Sequence, residues 1–121
     1  MNRIHPLWRG AAAAVLALAC AAQAHDLTVQ ECHEGSDFIR NAALSREAGI
    51  ARAEFIDRMR SDIDLIQSYP PELRWFVQDD DDEQLLLGAA QKVFDTPDAP
   101  ERHRAEFLAS CFAAIERWAR H

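Results

Sequence analysis

Cysteine supplies the first chemistry in this sequence, at positions 20, 32 and 111. Residues 1–24 read as a secretory signal peptide ending in Ala22-Gln23-Ala24, so cleavage before His25 discards Cys20 and leaves one pair, Cys32 and Cys111. Two cysteines in an exported domain, one near each end, predict a disulfide that ties the ends together. Two buried free thiols are the alternative reading, and without a Cys-x-x-Cys a redox pair is not expected. The same cleavage gives His25 a free α-amine beside its imidazole. With a second imidazole from His33, His103 or His121, those nitrogens form a T-shaped set suited to Cu²⁺, so copper binding at His25 is the alternative function. The simpler reading is that His25, followed by Asp26, is merely tolerated after the cut.

The carboxylate run Asp79-Asp80-Asp81-Asp82-Glu83 offers hard oxygen ligands, but it lacks the alternating ligands and central glycine of an EF-hand loop. It is expected instead to start a helix as a solvated cap, where carboxylates accept from free N–H groups and meet the positive end of the helix dipole. No phosphate-binding glycine loop, nucleophile elbow or paired-histidine helix motif occurs. The chain is therefore expected not to be an enzyme and to need no cofactor.

The leader has a positive start at Arg3 and Arg9 and an apolar stretch over Ala11–Ala22, too short for a bilayer span of roughly 20 residues. A lipoprotein reading would place the box at Ala17-Leu18-Ala19-Cys20 and acylate Cys20, but the leucine and the small residue stand in the wrong order. Export to a bacterial periplasm or exterior follows, without membrane insertion. Loss of Arg3 and Arg9 with the leader takes the net charge from −7 to −9, which argues against nucleic acid and anionic lipid as partners. Residues 25–121 suffice for one domain, small enough to be marginal without a covalent tie.

The elements that would position these groups are helices. Cys32, Gly35, Phe38, Ile39, Ala42 and Ala43 recur at three- and four-residue steps over 30–48, and Gly49 is the natural residue to close that helix. A second helix is predicted over 51–68, with Phe55, Met59, Ile63 and Ile66 on one face, ended by Tyr69-Pro70-Pro71. A short segment over 72–77 follows, then a helix begun by the carboxylate run and stopped at Asp95-Thr96-Pro97. The last spans 99–119, with Asp98 as cap, Pro100 in its first turn and Glu101 reaching back. The fold expected is all-α: a four- to five-helix bundle stapled by one disulfide between its first and last helices. Trp75, Phe76 and Trp118 are the candidates for contact with a partner protein, with a core role as the alternative for each.

Two strings carry a resemblance. Cys32, Phe38, Ala42, Arg46, Glu47 and Gly49 form Cys-x₅-Phe-x₃-Ala-x₃-Arg-Glu-x-Gly, and Pro100, Phe107 and Cys111 form Pro-x₆-Phe-x₃-Cys. This resembles a group of small exported, single-disulfide α-helical proteobacterial proteins of unknown function. More loosely, the design is similar to that of periplasmic acid-stress chaperones, although their cysteines lie much closer together. The function expected is a non-catalytic interaction module (an inhibitor, an immunity-type neutraliser or a stress chaperone) whose partner is another protein.

Overall fold

Thr28 starts the first helix, α1 (Val29–Glu47), through a reciprocal cap. Its hydroxyl accepts the Glu31 N–H at 3.0 Å, and the Glu31 carboxylate accepts the Thr28 N–H at 3.0 Å. The computed structural model describes residues 26–119, so the leader with its cleavage site and Cys20, His25 and residues 120–121 lie outside it, as does the Trp118 side chain. At the other end of α1, Gly49 donates to the Arg46 carbonyl and Ile50 to the Ser45 carbonyl, closing the helix with Gly49 at φ 98°. That backbone angle is cheap only for glycine.

Helix α2 (Arg52–Ile66) buries Ile56, Met59 and Ile63. It gives way to a connection through a 3-10 turn, Pro71–Leu73, where the predicted 72–77 segment stands. Asp79 then caps α3 (Asp80–Asp95), accepting the Asp82 N–H at 2.9 Å. The carboxylate run thus starts a helix as expected, with one correction. Asp82 is buried, not solvated, and its carboxylate accepts the Gln78 N–H at 3.1 Å, tying the connection to the helix start. The final helix is α4 (Pro100–Ala119). Its start also differs from expectation: the Asp98 carboxylate accepts the neighbouring Ala99 N–H and pairs with Arg102 at 3.3 Å, and Glu101 reaches across to Arg40 of α1. An interhelical cation outcompetes the local cap.

The chain is all-helical among the described residues, and α1 is the central element, packed along α4 and against α3, while α2 leans on α3. Small residues allow that approach: Ala42, Ala43 and Ala90 are fully buried, and a Cβ on Gly35 would lie 2.8 Å from the Phe107 ring. Cys32 and Cys111 are likewise fully buried in the α1–α4 seam, where they form the expected disulfide with Cα atoms 5.6 Å apart. An aromatic string crosses the interior in the order Phe94, Phe55, Phe38, Trp75, Phe76, Phe107, with successive ring centroids 5.5 to 6.3 Å apart. Such contacts add about 0.5–1.5 kcal/mol each beyond area burial.

Candidate interaction surface

Trp75 is where that aromatic string reaches the surface. It is 37% exposed, and its backbone holds φ 51°, a left-handed conformation that an aromatic side chain rarely adopts. Three contacts hold it there: the indole N–H donates to Glu34 at 2.9 Å, and the ring packs on Phe38 and Phe76. The backbone reversal sends consecutive aromatic side chains in different directions. Phe76 is fully buried, so of the two expected partner contacts this one is corrected to a core residue. Trp118, the third, has its side chain outside the described residues.

Trp75 has company that sequence reasoning missed. Leu65, Tyr69 and Leu73 are 59%, 45% and 66% exposed, all within the eleven residues that lead to Trp75. Arg74 fixes this connection from inside by donating its Nε–H to the Tyr69 carbonyl at 2.7 Å. The signal was present: Tyr69 and Leu73 flank Pro70-Pro71 outside any helical repeat, and Leu65 lies off the apolar stripe of α2, so no buried helix face claims them.

Of the histidines considered for a copper site, His25 and His121 lie outside the described residues. His33, among the described residues, is exposed with its ring in a T-shaped contact with Phe112, and His103 is buried. Among the described residues, no group of three or more metal-ligating side chains comes together. His103 Nε2 accepts the Asp98 N–H at 3.0 Å, which assigns the ring its neutral form with the proton on Nδ1. Arg46 lies 3.4 Å away and donates to the carbonyls of Val93 and Asp98, so one guanidinium brackets the α3–α4 turn. Burial, and then the Arg46 charge, push the His103 pKa below its ordinary value; Lys92 acts in the same direction, against Glu106 and Asp98.

This sets a pH dependence. Above about pH 6.5 the ring is neutral in both folded and unfolded chains and contributes no difference. As pH falls through that value the unfolded chain takes the proton first, so stability drops until the folded value is passed. The denaturant midpoint should be lower at pH 5 than at pH 7.5, and His103→Gln should show a smaller drop over that interval. An equal drop in both proteins would remove His103 as the cause.

A groove of about 280 Å³ lies between α3 and α4, floored by Ile39, Leu85 and Phe107, with Lys92 paired to Glu106 at 2.9 Å among its lining residues. His103 also lines it, but its accepting nitrogen is engaged by Asp98. Comparison with known proteins brings no relative to bear on either region: no protein-family model, curated protein or solved structure matches this chain.

Proposed function

We propose that this chain is a non-catalytic periplasmic module that binds another protein through the connection between α2 and α3. The observation that carries the reading is the display of Leu65, in the last turn of α2, with Tyr69, Leu73 and Trp75 in the connection that follows it, on a disulfide-tied bundle. Large apolar side chains left outside a core that is otherwise filled mark contact surfaces, and tryptophan and tyrosine dominate the energetics of such contacts. The disulfide fits an oxidising compartment, and no helix among the described residues is long and apolar enough to cross a membrane. An inhibitor, an immunity-type neutraliser and a stress chaperone all use a surface of this kind.

Affinity capture from periplasmic extract, with the exported protein as bait, tests the reading at neutral pH. A specifically retained protein is expected. Suppression of client aggregation only under acid conditions would identify the chaperone role within the same reading. If no protein is retained at neutral pH and no client is protected in acid, the module has no protein partner and the proposal fails.

A further inference from the structure

We infer that the α2–α3 connection docks a basic partner segment, one presenting apolar anchors flanked by lysine or arginine; this rests on the interaction reading above. The charge distribution is uneven. Residues 62–83 hold eight carboxylates and one guanidinium, a net −7, whereas the remaining described residues hold twelve acidic and nine basic side chains, a net −3. The lone guanidinium is that of Arg74, which is turned onto the Tyr69 carbonyl of its own connection.

Elsewhere several surface charges are paired, as in Arg40–Glu101, Arg52–Asp95, Lys92–Glu106 and Arg104–Asp37. On α2 before Asp62, the exposed charges left without an ion-pair partner among the described residues, Glu54, Asp57, Arg58 and Arg60, are of both signs and balance. Asp62, Asp64, Glu72, Asp80 and Asp81 are exposed and have no ion-pair partner among the described residues. Acidity alone only repels. What turns it into a docking site is the apolar group that these carboxylates flank in sequence, together with the way Trp75 is presented. Its left-handed backbone, its bond to Glu34 and its packing on Phe38 and Phe76 fix the ring before any partner arrives, so little ordering remains to be done on binding.

The sign of the charge selects the occupant. Facing carboxylates steer and orient a cationic partner and reject an acidic one. A second copy of this chain docking face to face is disfavoured for the same reason, since it would set one −7 segment against another.

The probe is a synthetic amphipathic peptide of lysine and leucine with one tryptophan, titrated into ¹⁵N-labelled exported protein with its disulfide intact. The same peptide with glutamate in place of lysine is the comparison. The cationic peptide should bind saturably, with chemical-shift changes centred on residues 65–75. Its affinity should weaken about tenfold or more between low and physiological salt. Leu73→Ser should cost about tenfold or more, and because Leu73 is 66% exposed the substitution leaves the fold intact. Val29→Ser, at a residue 58% exposed on α1, should change nothing.

Equal binding of the acidic peptide, shifts centred elsewhere, or an unchanged affinity in Leu73→Ser would overturn the inference. A partner recovered by capture that binds Leu73→Ser as tightly as the parent would remove this docking site and leave the interaction reading standing. Absence of both a captured partner and peptide binding would bring down the two together.

Discussion

Cys111→Ser should lower the melting temperature by about 15 °C or more, or prevent the protein from accumulating. The bond joins residues 79 apart in sequence, and closing a loop of that size removes roughly 4–5 kcal/mol of unfolded-state freedom on a chain-entropy argument. In a domain this small, each kcal/mol corresponds to about 4–8 °C. Total stabilities of about 5–15 kcal/mol leave little once such a term is gone. Cys32→Ser should match it, because both substitutions open the same loop. Thermal melts of the two variants and of the reduced parent decide the matter. Three coincident losses are expected, and equal stability with and without reductant would show that the packed seam between α1 and α4 holds without its covalent tie.

Phe76→Ala should destabilise the fold by about 3–5 kcal/mol, the range for deleting a buried aromatic side chain when its cavity cannot collapse. Phe76 is fully buried, packs at a tilt against Phe107 and lies within 3.3 Å of where a Cβ on Gly35 would stand. Its neighbours are rings and close-packed helix backbone, so relaxation into the space is restricted. Trp75→Ala makes the informative contrast. The Trp75 ring is partly solvated, so its loss should cost less stability and more partner affinity. Denaturant titration of both variants separates the roles. A Trp75→Ala variant less stable than Phe76→Ala would reverse the assignment of core and surface.

The helices were legible because burial repeats with the period of the helix. Cys32, Gly35, Ile39, Ala42 and Ala43 were placed on one face by spacing alone, and all are buried. Gly49 was legible as a terminator because few residues tolerate its backbone angle. The Thr28-x-x-Glu31 capping box was passed over in the sequence, and it starts the helix at Val29, one residue before the predicted 30.

Reading failed where backbone geometry departs from a repeat. Neighbouring aromatic residues at 75 and 76 carry no mark of which turns inward, and the answer depends on a left-handed angle that no spacing rule signals. His103 was weighed as a metal ligand, yet its accepting nitrogen serves the backbone of Asp98, five residues earlier. Glu101 matches a capping pattern but is drawn away by Arg40, 61 residues distant in sequence. Tertiary partners of this kind leave no local trace.

The bond between α1 and α4 also decides what proteolysis can do to the molecule. Its exposed connection, from Ser68 to Leu73, is the natural place for a protease to cut. A cut there divides the polypeptide into an amino-terminal piece bearing Cys32 and a carboxy-terminal piece bearing Cys111. The two pieces stay covalently joined, with α1 still seated on α4. Digestion therefore leaves a two-chain molecule that migrates at full mass until a reductant is added.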